Sequence, residues 1–403
     1  MSVFPTRLNN ICCVMAVTGL VVLPAVADSG HQHGHAAASE SGDNATPWQL
    51  DVMMGYQNMS SPVIAGFLPY DTHYLSAGVS LQHVDIGRSF QLPDQHLYGR
   101  AVLSYHSSST EVHEAWLGHQ AGNWEMRAGQ QLVDIGWLNR QHSHARRFTE
   151  LPLVYQALWG GEWSEGEARL AYQGQWSEHW QWRTTASVLG TSQMATTDDG
   201  GAAMITAQVG TRYGQWQHLF KLDVYGAEVG QRGMQLFATS SESHTHGSTA
   251  TEYFDGQVSH IALGWSSEWK NTLGVWQLQG EYQQRQEEGD LSSADGQTTD
   301  ASAALDLRSW GAYLDLSWQQ RTLEAGLRWQ MIGSDVALSE LSSDDLEDSI
   351  LNHEDRSPSY LNMLVAWHLP LPGSKLRLQY NVPLADALAL PRTQLQWVHS
   401  VAF

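Results

Sequence analysis

In several stretches this chain alternates apolar and polar side chains with a period of two over about ten residues. In 275–285, Trp276, Leu278, Gly280 and Tyr282 fall on one face, and Gln277, Gln279, Glu281, Gln283 and Arg285 on the other. In 321–331, Leu323, Ala325, Leu327, Trp329 and Met331 alternate with Glu324, Arg328 and Gln330. In 376–382, Leu376, Leu378, Tyr380 and Val382 alternate with Arg377, Gln379 and Asn381. A sandwich or a small soluble barrel would turn the apolar faces inward. Segments of this length, repeated this often, enclose a lumen too wide for side chains to fill. The polar faces then line water and the apolar faces meet lipid. The expected fold is all-β, a transmembrane antiparallel β-barrel.

The last stretch, Arg392 to Phe403, fits a closing strand. Val401, His399, Trp397 and Leu395 alternate with Ala402, Ser400, Val398 and Gln396, and the chain ends on an aromatic. An ordinary edge strand is the bland alternative. A closed barrel needs such a strand, because its last strand pairs with its first and its outer face touches lipid. This ending resembles the carboxy-terminal signature of Gram-negative outer-membrane proteins, with His399 departing from the usual apolar run. That resemblance implies recognition of Phe403 by barrel-assembly machinery, and outer-membrane lipid and lipopolysaccharide as surroundings.

The other end reads as a secretory signal over residues 1–27. Arg7 gives a positive n-region, Ile11 to Ala25 an apolar h-region, and Ala25-Val26-Ala27 a small-x-small cleavage site. Both cysteines, Cys12 and Cys13, lie inside it, so no disulfide framework holds the mature chain. Cleavage near Ala27 would deliver the chain to the cell outer membrane. Loss of Arg7 moves the formal charge from −21 to −22, with 42 acidic residues remaining. That balance excludes nucleic acid as a partner and favours cations. No later run approaches the ~18–20 apolar residues of a spanning helix. The 18 Trp and 14 Tyr, many at strand ends, fit aromatic girdles at membrane interfaces.

Residues 28–47 lack periodicity and contain His31, His33 and His35, which suits a disordered periplasmic extension. Residues 48–403 form the barrel. Bacterial barrels place both ends in the periplasm, which requires an even strand number. Counting from both ends agrees when 134–165 is one long external loop. The strands are then 48–57, 72–84, 97–106, 111–119, 123–133, 166–175, 178–190, 202–213, 215–225, 256–267, 271–285, 304–318, 321–333, 358–369, 373–382 and 391–403. This gives about sixteen, with fourteen or eighteen also compatible. The connectors 226–255, 286–303 and 334–357 fall outside the membrane.

Segment 134–165 is the third external loop, the one that sets the constriction in sixteen-stranded porins. It carries Arg140, His142, His144, Arg146 and Arg147, then Leu151 to Tyr155, an apolar run that needs covering. The lumen wall is the obvious place. The pattern LNxxHxH followed by F, PLxYxA and GG also resembles a group of proteobacterial outer-membrane proteins with His-rich amino termini and zinc-responsive expression. That resemblance implies a metal-related function.

His142 and His144 sit at i and i+2, so an extended backbone puts both imidazoles on one side, within reach of one ion. Without cysteine, further ligands must come from His, Asp or Glu. The bland reading is a polar histidine pair stacking or hydrogen bonding. Arg146 and Arg147 count against a tight cation site and could instead pair Glu150 or Glu162. His244 and His246, with Glu242 and Glu252, repeat the motif in 226–255, and the amino-terminal tract supplies a third copy. Zn2+ or another divalent cation is expected as a transient ligand, with no tightly bound cofactor.

The loops 286–303 and 334–357 are acidic and either gather cations or solvate the surface. Lumen candidates include Arg100, Arg127, Arg212, Lys221, Arg285, Arg308, Arg328 and Arg377, opposed by Glu125, Asp223, Glu281, Asp315 and Glu324. Glu125, Arg127, Glu281 and Arg328, with Arg140, Arg146 and Arg147, are the expected pore-lining or constriction residues. No nucleophile elbow, HExxH or phosphate loop occurs, so no enzyme and no catalytic residue is expected. The mature length is too short for a plug domain with a 22-stranded barrel. The expected function is a porin-like channel for small solutes, with divalent metal ions, zinc first, as cargo. A porin for another solute, or a non-transporting barrel binding metal or a partner through its loops, is the alternative. A homotrimer is one assembly open to such a chain.

Overall fold

The protein is described by a computed structural model covering residues 47–59, 77–92, 96–106, 109–190, 201–234, 251–294, 301–339, 357–385 and 391–403. It contains sixteen strands and one short helix. The first five strands are β1 (Trp48–Gln57), β2 (Gly78–Leu92), β3 (Leu97–His106), β4 (Ser109–Ala121) and β5 (Trp124–Leu132). After the connecting loop with its helix α1 (Leu153–Trp159) come β6 (Ser164–Ser177), β7 (Trp180–Leu189) and β8 (Ala202–Tyr213). Then follow β9 (Trp216–Met234), β10 (Thr251–Asn271), β11 (Gly274–Ala294), β12 (Ala301–Gln320) and β13 (Leu323–Ser339). The last three are β14 (Ser359–His368), β15 (Ser374–Ala385) and β16 (Arg392–Ala402).

Every strand pairs antiparallel with its sequence neighbours, and β16 returns to β1, closing the barrel. The closing register sets Leu50 opposite Val401 and Met54 opposite Trp397, with Phe403 donating its N–H to the Trp48 carbonyl. Closure leaves no sheet edge to be satisfied by lipid, which cannot hydrogen bond. No helix among the described residues is long and apolar enough to cross a membrane.

The outer face carries the alternate apolar residues. Leu103, Leu117, Val188, Leu263, Leu316 and Val365 are all more than two-fifths exposed. At the end where the turns are short, Trp48, Trp124, Trp180, Trp216, Trp367 and Phe403 project outward. Amphipathic rings at this level match a membrane–water interface.

The wall is uneven. The strands β9 to β13 run for 17 to 21 residues, against 9 or 10 in β1, β3, β5, β7 and β14. Twenty residues at about 3.4 Å each, tilted about 45°, reach roughly 45–50 Å, well past an apolar band of about 25 Å. The segments 226–234, 251–255, 286–294, 301–303 and 334–339, expected as external loop, are therefore strand. The correction has a physical cause: above the membrane the sidedness reverses. Asp255, Glu288, Asp290, Asp306 and Asp335 face out into water, while Phe254, Leu291, Ala303, Leu305 and Leu307 face in and are buried. Arg308 also faces outward and is exposed, so it is not a lumen residue. Asp295 and Asp300, and most of the acidic residues of 334–357, lie outside the described residues.

Candidate functional site

The connector from β5 to β6, residues 133–163, folds into the barrel and is mostly buried. Its base is tied by Asn139, whose side-chain amide donates to the Val133 and Trp163 carbonyls at 2.8 Å each. The same side chain accepts the Trp163 N–H at 2.8 Å. Asn139→Ala would strand the buried Trp163 N–H, at about 1–3 kcal/mol, while the Val133 and Trp163 carbonyls keep the Ile135 and Val133 N–H groups. We expect that variant to lower the urea midpoint and to open the loop to protease, which mass spectrometry of the digest would locate.

From this base the loop crosses to the long strands. Gly136, at φ 58°, donates its N–H to Asp223 at 2.7 Å, and Trp137 donates to Glu281 at 2.8 Å. A Cβ at Gly136 would meet the Tyr155 hydroxyl at 1.9 Å, so the turn requires glycine. Lys221 Nζ lies 2.9 Å from the Asp134 carboxylate and 3.3 Å from Asp223, and donates to the Gly136 carbonyl. Burial pushes the Asp134 carboxyl up, but Lys221, then Arg140 and Arg169, outweigh it and hold it well below the usual range.

The apolar run then finds its cover. Pro152 precedes α1, and Gly160 ends it in the left-handed conformation. Leu153, Val154, Tyr155, Leu158 and Trp159 pack with Trp163, Tyr225, Phe254, Leu305 and Ile332 into one cluster inside the barrel. Trp159 stacks on Trp163 at 4.8 Å and donates to Gln283 at 2.8 Å. The outer part of the lumen is thus an apolar core, and the reversal of sidedness in β10 to β13 supplies its far wall.

The segment 146–151 reaches the opposite side. Arg328 forms a two-point pair with Asp315 at 2.7 Å, donates to the Glu150 carbonyl, and lies 4.1 Å over the Phe148 ring. Thr149 donates to Gln379 and Gln394, and Glu150 pairs with Arg392. Arg147 donates to Ser317, and Arg377 to the carbonyls of Arg146 and Ser143. Charged groups are matched locally across the lumen. Besides the pairs above, Glu125 takes Arg127 and Arg183, Glu167 takes Arg169, and Glu287 takes Arg232 and Arg285.

Both loop imidazoles meet the short side of the wall. His142 Nε2 lies 2.6 Å from Glu114 Oε1, and its Nδ1 lies 3.5 Å from Asp85 Oδ2. His144 Nδ1 lies 3.6 Å from the same Asp85 oxygen, and its Nε2 lies 3.6 Å from Asp51. The rings stack at 5.5 Å. Burial keeps His144 below the ordinary imidazole range, against the pull of Asp85 and Asp51. His83 Nε2 approaches Asp85 Oδ2 at 2.6 Å. A second group, His113, His142 and Glu162, lies beside the first, and there Glu162 is already engaged by Arg146 and by His113 at 2.9 Å.

Of the residues singled out in the sequence, His142 and His144 come together, and Arg146 takes Glu162, one of its two foreseen partners. Arg147 takes a serine instead. Arg140 is partly exposed, 3.4 Å from Asp134. Glu281 and Arg328 hold the loop, whereas Glu125 and Arg127 form a separate group with Tyr98. His31, His33, His35, His244 and His246 lie outside the described residues. The residues not foreseen are Asp51, His83, Asp85, His113 and Glu114. His83 and Asp85, at i and i+2 in a strand, share a face, and that spacing could have found them.

A closed sixteen-strand antiparallel barrel with an inward-folded third loop is the architecture of outer-membrane porins. No protein-family profile matches the sequence, and no curated relative does. Solved structures share the fold. The chain is similar to OprB of Pseudomonas putida at a TM-score of 0.54, with 10% identity over 89% of this chain and 95% of that one. It is similar to OmpT, an outer membrane protein of Vibrio cholerae in its trimer form, at 0.53, with 9% identity over 89% and 100%. The outer membrane channel DcaP of Acinetobacter baumannii follows at 0.51, with 11% identity over 88% and 96%.

Proposed function

We propose that this chain is an outer-membrane channel for small solutes, gated by the loop 133–163, with divalent metal ions, zinc first, as its preferred cargo. The observation that carries the proposal is the placement of that loop: it enters a closed barrel with a lipid-compatible outer face and contacts both the long and the short sides of the wall. A channel with a built-in obstruction is the simplest use of such a part. The buried imidazole and carboxylate clusters beside the loop support the choice of cargo. Solubility in detergent, outer-membrane location, contact with lipopolysaccharide, assembly through Phe403 and a homotrimeric state belong to the same proposal.

Planar-bilayer recording tests it. The wild type should open briefly and to a small conductance. In a salt gradient its reversal potential should carry the sign of cation preference, as a chain of net charge −22 after signal cleavage requires. The second reading, a sealed surface barrel that binds metal or a partner through its loops, is favoured by how fully the loop fills the lumen. A barrel that stays silent even with the loop shortened would establish it and end the transport proposal.

A further inference from the structure

Two β-bulges interrupt the wall on either side of one place. Between β1 and β2 the pairing steps from Met53 opposite His83 to Met54 opposite Leu81, so Gln82 is extra. Between β3 and β4 it steps from Val102 opposite Glu114 to Leu103 opposite Val112, so His113 is extra. A bulge re-aims side chains at the cost of a ladder hydrogen bond. Here Gln82 and His83, and likewise His113 and Glu114, are buried side by side, where strict alternation would send one of each pair outward. Both irregularities border the ground where His142 and His144 arrive.

The geometry there is that of a ligand set. One donor atom each from Asp85, His142 and His144 lies within 4.8 Å of the others. A tetrahedral ion with bonds of about 2.0–2.2 Å keeps its ligands about 3.3–3.5 Å apart. The Asp85 oxygen lies 3.5 and 3.6 Å from the two Nδ1 atoms. His142 Nδ1 and His144 Nδ1 are buried and make no close hydrogen bond among the described residues, and the Asp85 Oδ2 they face is approached by His83 Nε2 at 2.6 Å. The far nitrogen of each ring faces a carboxylate: Glu114 for His142, Asp51 for His144. A carboxylate behind an imidazole is the usual orienting partner of a metal-bound histidine, since it fixes the proton on the outer nitrogen and leaves the inner lone pair free.

Charge points the same way. The buried carboxylates Asp51, Asp85 and Glu114 converge here; the Arg100 guanidinium lies 3.0 Å from Glu114, and Arg146 also acts on Asp85. A divalent cation would add positive charge where three buried carboxylates converge, and buried carboxylates are stabilised by such a partner. Arg146 does not oppose it, being held by Glu162.

We propose that Asp85, His142 and His144, with His83 orienting the Asp85 carboxylate, bind one divalent cation that fastens the lumenal loop to the β2 wall. The proposal rests on the reading of this loop as a gate and adds its regulation: the transported ion, bound there, holds its own path closed.

The test uses the full mature chain, refolded in detergent, with His31, His33, His35, His244 and His246 changed to alanine so that the remaining histidine tracts are silent. Zinc titration by calorimetry should give one site per chain, and Co2+ should give the intense visible spectrum of four-coordinate geometry. Asp85→Asn, nearly isosteric, should weaken zinc at least about tenfold, as loss of a ligand or its orienting partner does; His144→Ala should do the same. Zinc should also shorten channel openings in the background chain and not in Asp85→Asn. Zinc heats that survive both substitutions in a barrel of unchanged circular dichroism would overturn the site, whatever the conductance. A barrel that binds zinc here and never conducts would keep the site and overturn the gate.

Discussion

Replacing residues 140–161 by a short Gly-Ser linker is expected to convert a nearly silent barrel into one with the steady, large conductance of an open sixteen-stranded lumen, a rise of about tenfold or more. The deletion removes α1, Phe148, Thr149 and Glu150, which fill the middle of the barrel, and leaves Asn139 to close the shortened connector. Arg328, Arg377 and Arg392 would then face water instead of the loop, and Arg328 would keep its pair with Asp315. The apolar cap formed by Phe254, Leu291, Leu305 and Ile332 would lose its partner, so the variant should bind hydrophobic dyes that the wild type excludes. Single-channel recording checks the first expectation and dye fluorescence the second. An unchanged conductance would mean that the loop is not what closes the lumen.

The second large effect is expected at Lys221. Its ammonium is buried and serves Asp134, Asp223 and two carbonyls of the loop base. Lys221→Met keeps most of the volume and takes the shared cation from two close carboxylates, leaving Asp134 the more distant Arg140 and Asp223 the Gly136 N–H. Breaking a buried pair from one side costs about 3–5 kcal/mol. Urea unfolding should show that loss, and Asp134→Asn added to it should restore much of the stability, because the charge left behind is then gone. If Lys221→Met alone unfolds like the wild type, the loop base is held by its hydrogen bonds and packing, and the ion pair contributes little.

Much of this architecture is legible in the sequence, and the parts that are not share one cause. Strand number followed from alternation and from the even count that closure demands. The inward course of 134–165 followed from Leu151 to Tyr155, an apolar run that no water-exposed loop can carry. What alternation could not reveal was where the solvent changes. Glu288, Asp290 and Asp335 fall in expected loops because alternation does not mark where lipid gives way to water; the strand continues into water and the polarity turns over with it. Bulges were the second obstacle. An extra residue at Gln82 or His113 shifts the pattern by one, so a period-two reading sends Glu114 or His83 to the wrong face. The long-range pairs, such as Glu150 with Arg392, depend on where a folded loop lands, and no local spacing encodes that.

A hoop of strands alone is soft: squeezed from two sides, it flattens into an ellipse with little change in any one hydrogen bond. The loop's bonds to Asp223, Glu281, Gln330, Gln379 and Gln394 act as spokes from a hub to separate points of the rim. This molecule should therefore keep a round cross-section when a thick or crowded bilayer presses on it, and any event that frees the hub would slacken the whole wheel at once.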